Sequence, residues 1–402
     1  MYAVIMAGGK GTRIKSLEPN LPKPMIKIAG RPLLHWQYKN LKANGFDDII
    51  IVVGHHGDVI KRWFGDSVRY YEEKEPLGTA GALPKMKDML ADEFLLVYGD
   101  LFFDVDFERM IKFHHDHWAI GTLFVHPNSH PYDSDLVVFD KNYRIKEITP
   151  NGILRTQWQH NYTNAGIYYF DKSVLNYFPP YEKIDLEKDV LPQISALYGY
   201  NSPEYVKDIG TVDRFLQVEH DIKNWIPVYR NLKNKQKAIF LDRDGTINYN
   251  VGLVAHPAQL ELLPWAGEAI KLINQSEYLA IVITNQPVVA RGLCTIDEVN
   301  RIHAKMEEML GKEGAYVNDI WFCPHHPDKG YPEENPLYKM ECNCRKPKPG
   351  MIFAAAARYN IDLSQSWMIG DTQVDYETAC NAGVKPIITN NLLSAVRSIL
   401  NE

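Results

Sequence analysis

The feature that most constrains this chain is a strand–helix rhythm that runs, stops and starts again. "YAVIMA", "DDIIIVVG", "EFLLVYGD" and "AIGTLFVH" are short apolar runs rich in Val, Ile and Phe, and longer amphipathic stretches such as "PLLHWQYKNLKANG" separate them. That alternation predicts an α/β sheet, largely parallel. The rhythm closes near "EYVKDIGTVDRFLQVEHDIKN" and gives way to "WIPVYRNLKNKQ", which is polar, basic and without a period. It resumes at "KAIFLDRDGT" and continues through "EYLAIVITNQ", "DIWFCPHH" and "SWMIGDT". Two domains are expected, residues 1–224 and 237–402, joined by a linker at 225–236. Each is long enough to bury its own core.

Composition removes several function classes. The formal net charge of −6 argues against a large nucleic-acid footprint. No apolar run reaches the roughly eighteen residues of a membrane span. "MYAVIM" leads straight into glycines and reads as a first strand, not a signal peptide. Five cysteines, three of them close together near the C-terminus, suggest a reduced cytoplasmic protein with a metal site. None of this fixes the oligomeric state.

In the second half, "FLDRDGT" puts Asp242 and Asp244 at the end of a buried strand. The period of two lets both side chains converge at the C-terminal edge of the sheet, where open α/β sheets place ligands. Two such carboxylates repel unless a cation compensates, and Mg²⁺ with its oxygen ligands does so. "MIGDTQVD" adds Asp371 and Asp375, "IVITNQ" adds Thr284 and Asn285, and "CRKPKPG" adds Arg345 and Lys346. Between them, Cys323, His325, Cys342 and Cys344 form a set suited to tetrahedral Zn²⁺, with His326 as an alternative to His325. Four protein ligands leave no open position, so the zinc is expected to be structural, holding a loop too poor in apolar residues to fold by itself.

The ordered set Asp-x-Asp-Gly-Thr, Thr-Asn, Lys, Gly-Asp resembles the haloacid dehalogenase phosphatase superfamily. The likeness implies a Rossmann-like domain with a small zinc loop and no large cap. It implies that Asp242 attacks phosphorus, that Asp244 protonates the leaving alcohol and then activates water, and that Thr284 and Lys346 hold the phosphoryl group. Asp371, Asp242 and the backbone carbonyl of Asp244 would hold Mg²⁺. "LDRDGTIN", "TNQ", "ARG" and "CRKPKPGM" are similar to the phosphatases that remove the 7-phosphate of D-glycero-D-manno-heptose 1,7-bisphosphate, and less so to histidinol phosphatases. By that likeness Asn250, Gly252, Asn285, Gln286, Arg291 and Arg345 line the substrate. The loop at 250–253 and Pro287-Val288 depart from the heptose pattern, which leaves the exact sugar and anomer open.

The first half opens on "MAGGKGTRIKSLEPNLPKPM". It fails the dinucleotide fingerprint, because Ile14 stands where a third glycine is needed, and the ATPase loop, because Lys10 is followed by Gly11. "AGGKGTR", "PKPM", "PLGTAGAL", "VYGD", "NAGIYYF", "LEKDVLP" and "KDIGT" together resemble the sugar-1-phosphate nucleotidyltransferases, which implies a Rossmann-like domain with a mixed sheet. Ala7, Gly8, Gly9, Gly11 and Thr12 would cradle the phosphates of a nucleoside triphosphate, since glycines let backbone N–H groups approach closely. Arg13 adds a charged fork and Lys23 a point charge. The likeness implies Mg²⁺ on Asp100 and Asp208, the base against Gly78 and Thr79, and sugar hydroxyls on Asn164 and Glu187. Relatives place a lysine near residue 150 for the sugar phosphate. In those relatives it stands in a Glu-Lys-Pro triplet, which "IKEITPNG" lacks, so Arg144, Lys146 or Arg155 is expected to substitute.

The two halves imply consecutive reactions: removal of the 7-phosphate, then nucleotidyl transfer from an NTP, most like GTP, to heptose 1-phosphate. Two other readings compete. One is a mannose-1-phosphate-type guanylyltransferase fused to a different phosphatase such as a histidinol phosphatase. The other is a degenerate sugar-nucleotide sensor, against which the intact Asp242, Asp244, Lys346, Asp371, Lys23 and Asp100 argue.

Overall fold

The computed structural model describes residues 1–402 apart from 10–20, 55, 153, 154, 156, 329, 331, 332 and 402. The chain forms two compact units. The first comprises Met1–His126, Val137–Ile148 and Asn164–Asn231; the second comprises Pro127–Leu136, Thr149–Thr163 and Leu232–Glu402. Two short pieces that precede the linker in sequence thus cluster with the C-terminal residues.

The first unit is built on a nine-stranded sheet with two separate two-stranded ones, of which the smaller is a short antiparallel pair, Lys27–Ile28 with Arg31–Pro32, left out of the numbering below. In chain order the strands are β1 (Tyr2–Met6), β2 (Asp48–Val53), β3 (Arg69–Glu72), β4 (Glu93–Tyr98), β5 (Leu101–Asp104), β6 (Gly121–His126), β7 (Leu136–Phe139), β8 (Ile145–Thr149), β9 (Thr163–Asp171), β10 (Leu197–Asn201) and β11 (Tyr205–Asp208). The large sheet runs β8-β7-β9-β4-β1-β2-β3, with β6 beside β9 and β10 beside β6. β1 lies parallel to β2 and β4, whereas β9 is antiparallel to β4. The sheet is therefore mixed, more so than the apolar rhythm alone suggested. β5 and β11 pair antiparallel outside it, with Asp208 opposite Leu101. The helix α1 (Leu33–Ala43) buries Leu34 and Leu41 in the core that also holds Ile5, Ile51 and Val97.

The second unit has a five-stranded, wholly parallel sheet of β12 (Lys237–Leu241), β13 (Tyr278–Asn285), β14 (Asp319–Cys323), β15 (Trp367–Gly370) and β16 (Lys385–Ile388), ordered β14-β13-β12-β15-β16. Four of the five β12 residues and six of the eight in β13 are buried, because helices cover both faces. They include α2 (Ala266–Asn274), α3 (Ile296–Lys312), α4 (Gly350–Tyr359), α5 (Gln373–Ala382) and α6 (Leu392–Leu400). A capping box from Thr295 to Glu298 starts α3, and another from Thr372 to Asp375 starts α5. Between β12 and α2 the described chain carries only isolated bridges and one 3-10 turn, Pro257–Gln259. No helix among the described residues is long and apolar enough to cross a membrane.

One charged pair in this unit joins an early segment to α3. His160 Nδ1 lies 2.6 Å from Glu307 Oε2, and the Glu307 side chain is almost fully buried. Burial works against the imidazolium, but Glu307 outweighs it and holds the pKa of His160 above its ordinary value. A raised histidine pKa gives stability that is full below the unfolded pKa, about 6.5, and is lost as pH rises through the folded value. Glu307→Gln should therefore destabilise this unit most at about pH 6 and progressively less toward alkaline pH, as read by chemical denaturation. A pH-independent difference would refute the role of the pair.

Candidate functional site

In the second unit β12 is the central strand, so the turn that follows it collects side chains from both neighbours. Asp242 follows β12, Thr284 and Asn285 end β13, and Asp371 follows β15. Lys346 reaches them from a loop: its Nζ lies 2.8 Å from Asp242 Oδ1 and 2.6 Å from Asp375 Oδ1. The loop is anchored by a reciprocal amide clamp, in which Lys346 N–H donates to Asn285 Oδ1 at 2.9 Å and Asn285 Nδ2 donates to the Lys346 carbonyl at 3.1 Å. Asp375 is fully buried, and its other oxygen accepts from the Thr372 hydroxyl at 2.6 Å. Gly245 has φ +88°, and a Cβ there would collide with the Asp371 carboxylate, so only glycine lets that carboxylate close on the turn.

The charges at this edge do not balance. Asp242, Asp244, Asp371 and Asp375 face two cations, Lys346 and Arg243. Burial pushes the Asp242 carboxyl up to about 6 against the pull of Lys346. Burial, then Asp375, raises Asp371 as well. Lys346 is held above its ordinary value because Asp242 and Asp375 outweigh its burial. Asp371 Oδ1 is buried without a hydrogen-bond partner among the described residues, and oxygens of Asp242, Asp371 and Asp375 lie within 4.8 Å of one another. A divalent cation would match the surplus negative charge and that orphaned oxygen. The Asp244 carboxylate is turned away from this cluster toward Arg243. Gln286, expected against substrate, is buried instead: its amide donates to Asp244 and Thr284 and accepts from Arg243. Asn250 and Gly252 form an exposed turn closed by the Gly252 N–H on Asn250 Oδ1 at 3.1 Å, and Arg291 is half-buried.

Beside the lysine loop, Cys323, His325, Cys342 and Cys344 converge. Their sulfurs are 3.2, 3.3 and 3.5 Å apart, and His325 Nδ1 lies 3.4 Å from the Cys344 sulfur. A tetrahedral zinc with sulfur bonds near 2.3 Å would set sulfurs roughly 3.7 Å apart, so small side-chain rotations would admit the ion. Hydrogen bonding with Cys323 pulls the Cys344 thiol down to about 5. The fourth group is His325, not His326, whose Nδ1 accepts from the Asp328 N–H. Arg345 donates to the His325 carbonyl at 3.1 Å, which ties the cluster to the lysine loop.

In the first unit the same strand-end rule applies. Ala7, Gly8 and Gly9 follow β1, and Asp100 follows β4 beside it. Gly11, Thr12 and Arg13 lie outside the described residues. Lys23 Nζ sits 2.7 Å from Asp100 Oδ2. Asp208 is clasped by Arg214 at 2.6 Å, which, despite burial and with a smaller contribution from Lys23, holds its carboxyl below the ordinary range. Gly78, at φ +84°, packs so closely on the Ile184 carbonyl that a Cβ would collide, and Thr79 Oγ1 accepts from the Leu186 N–H at 2.8 Å. Glu187 stands on a single π-helical turn, Leu186–Val190, and accepts from the hydroxyls of Tyr98 and Tyr168, each at 2.7 Å. Burial raises its pKa. Asn164 Nδ2 donates to the Tyr168 hydroxyl at 2.9 Å, so the two expected sugar ligands are linked through one tyrosine.

Three expected substitutes for a phosphate-binding lysine are accounted for. Arg144 donates to the Ser195 carbonyl and Arg155 to the Pro131 carbonyl at 2.7 Å, while Lys146 is exposed on β8. The two arginines are thus held by backbone oxygens. Glu73 was not singled out from sequence. Its carboxylate leaves no room for a Cβ on Gly8, and its Oε1 is buried without a partner among the described residues. A carboxylate just after a strand that ends beside the glycine loop was the available signal.

The nucleotidyl transferase family profile matches residues 2–224, and an HAD-hydrolase-like profile matches residues 343–391. Over 150 residues the chain is 39% identical to a D-glycero-beta-D-manno-heptose-1,7-bisphosphate 7-phosphatase of Rhodopseudomonas palustris, covering 37% of this chain and 81% of that protein. A D-glycero-alpha-D-manno-heptose-1,7-bisphosphate 7-phosphatase of Burkholderia mallei is 37% identical over 150 residues, covering 37% of this chain and 77% of its own length. A D-glycero-alpha-D-manno-heptose 1-phosphate guanylyltransferase of Aneurinibacillus thermoaerophilus is 29% identical over 235 residues, covering 56% of this chain and all of that protein.

The turn at Gly245 offers a direct check on the geometry. Gly245→Ala should strain a left-handed position and push against Asp371, costing about 1–3 kcal/mol. For a unit of this size that lowers its thermal midpoint by roughly 2–12 °C. An unchanged midpoint in calorimetry would mean that Asp371 retreats at no cost.

Proposed function

We propose that this chain, which belongs to the nucleotidyl transferase family and carries a second half belonging with the heptose-bisphosphate phosphatases, makes a nucleotide-activated heptose in two consecutive steps. It is a bifunctional enzyme, a sugar-phosphate nucleotidyltransferase and a phosphatase. The transferase domain is read as residues 1–224 and the phosphatase domain as 237–402, joined by 225–236. The observation that carries the reading is the presence in one chain of two constellations whose reactions follow each other: Lys346 between Asp242 and Asp375, and Lys23 on Asp100 near Asp208.

In the first step Asp242 forms a bond to phosphorus as the sugar oxygen leaves with a proton from Asp244. Water then attacks the aspartyl phosphate, gives a proton to Asp244 and releases inorganic phosphate. Lys346 and Thr284 hold the phosphoryl oxygens, and Arg345, Asn250 and Gly252 face the sugar. Mg²⁺ on Asp242, Asp371 and the Asp244 carbonyl would neutralise the phosphoryl charge; the Asp375 carboxylate, which lies close to Asp242 and Asp371, is engaged by Lys346 and Thr372. In the second step the freed heptose 1-phosphate attacks the α-phosphorus of GTP and pyrophosphate leaves. No enzyme nucleophile is needed, so positioning and charge suffice. Lys23 and Arg13 face the triphosphate, Gly78 and Thr79 the base, Asn164 and Glu187 the sugar, and Asp100 and Asp208 would hold Mg²⁺. Hydrolysis at the 7-phosphate leaves C1 untouched. The anomer accepted by the phosphatase is therefore the one the transferase consumes, and we read it as α, giving GDP-D-glycero-α-D-manno-heptose. A nucleoside triphosphate as co-substrate argues for a cytoplasmic setting.

A matrix of two variants and two substrates tests this, read by product mass. Wild type should convert heptose 1,7-bisphosphate and GTP to GDP-heptose. Asp242→Asn should release phosphate about a thousandfold more slowly or worse, yet make GDP-heptose from heptose 1-phosphate. Lys23→Ala should accumulate heptose 1-phosphate. A nucleotide sugar retaining its 7-phosphate would reverse the order, and inertness toward all heptose phosphates would refute the substrate.

Zinc on Cys323, His325, Cys342 and Cys344 is read as structural. Protein purified without chelator should carry about one zinc per chain, and Cys342→Ser should lose it together with phosphatase activity as the Lys346 loop slackens. A zinc-free, fully active wild type would overturn the assignment.

A further inference from the structure

The turn after β12 contains an arginine that phosphate hydrolysis does not itself require. Arg243 stands between Asp242 and Asp244, and its side chain is fully buried. A guanidinium keeps its charge and only donates, so in a buried place its donors must be matched. Nε lies 3.2 Å from Asp244 Oδ1, and Nη2 lies 2.9 Å from each Asp244 oxygen. Nη2 also reaches Gln286 Oε1 at 3.0 Å, and Nη1 reaches His303 Nε2 at 3.1 Å.

That last contact fixes the histidine. Because arginine can only donate, His303 must accept through Nε2 and carry its proton on Nδ1. Burial and the adjacent Arg243 hold its pKa well below the ordinary value, in keeping with a neutral ring. The ring packs edge-on against Phe322 with centroids 5.2 Å apart and projects from α3, one turn before Glu307. The position of the acceptor is thus set by a rigid helix and not by the turn. Asp244 is held from two more sides, by Asn248 Nδ2 on Oδ1 at 2.9 Å and Gln286 Nε2 on Oδ2 at 2.8 Å.

We propose that Arg243, anchored by His303, is a positioning residue that aims the Asp244 carboxyl group at the leaving oxygen of the sugar. This rests on the phosphatase reading above. As Asp242 bonds to phosphorus, the bond from phosphorus to the sugar oxygen breaks, and the proton of Asp244 passes to that oxygen to give a neutral alcohol. A fork gripping both carboxylate oxygens fixes the plane of the group, which a single lysine contact would not do. Proton donation by a positioned group contributes about 10²–10⁴-fold, and an error of about 1 Å in placement can cost about 10²-fold.

The leaving group distinguishes aiming from mere support. A sugar alkoxide needs the proton to leave, whereas p-nitrophenolate does not. The kcat/KM reports events up to departure of the leaving group. His303→Leu removes the acceptor and should lower kcat/KM for heptose 1,7-bisphosphate about 10- to 100-fold. For p-nitrophenyl phosphate it should change by less than about 3-fold. His303→Gln restores an acceptor oxygen and should recover most of the loss. Arg243→Lys keeps the charge, loses the fork and should reproduce the split, which covers the case of a His303→Leu protein that does not fold. Equal losses on both substrates, or no loss on either, overturn the proposal. Wild type that ignores the heptose bisphosphate but hydrolyses another sugar phosphate refutes the substrate reading, and the same split measured on that sugar phosphate then decides the positioning role.

Discussion

The Lys346 ammonium is the contact on which the second unit's site depends. It is buried, and it lies within 2.8 Å of one carboxylate and 2.6 Å of another. Removing one partner from a buried pair costs about 3–5 kcal/mol, because the charge left behind is uncompensated. Lys346 is therefore what allows Asp242 and Asp375 to share the end of an apolar sheet. Its own position is set by a side-chain amide at the end of β13 and, through Arg345 and His325, by the sulfur cluster. Charge at the site and order in an otherwise apolar-poor loop are one problem with one solution.

Both units solve a second problem in the same way. A parallel strand emerges at the carboxyl edge of its sheet, and the next turn decides what its last side chains meet. After β12 the turn brings a carboxylate pair, and after β1 it brings glycines. One edge thereby gathers carboxylates about Lys346, and the other sets Gly8 and Gly9 beside the Lys23–Asp100 pair. This is why a common sheet architecture serves two different phosphorus chemistries.

Much of this was legible in the sequence, and the limits have physical causes. The strand starting at Lys237 was visible because its next four residues, Ala238 to Leu241, form an unbroken apolar run that suits a covered sheet, and Asp242, Thr284 and Asp371 were visible because strand ends announce themselves. Local spacing could not separate His325 from His326, since adjacent residues point apart only once the backbone is known. Nor could it show that Gln286 turns inward to Arg243, or that Arg155 is held by the Pro131 carbonyl, because both depend on pairings between distant segments. The mixed order of the first sheet was legible only through the family likeness, because an apolar strand reads alike in either direction. The clustering of 127–136 and 149–163 with the C-terminal residues left no compositional trace.

Asp375 illustrates how little latitude such a site has. One of its oxygens completes the capping box of α5 and the other faces Lys346. Asparagine would preserve the cap and lose the counter-charge, while glutamate, the commoner residue at this place in a capping box, would preserve the charge but force one more methylene into a fully buried site. The length and the charge of the side chain at position 375 are thus set by two different neighbours, a helix terminus and a lysine loop, which are coupled through a single carboxylate.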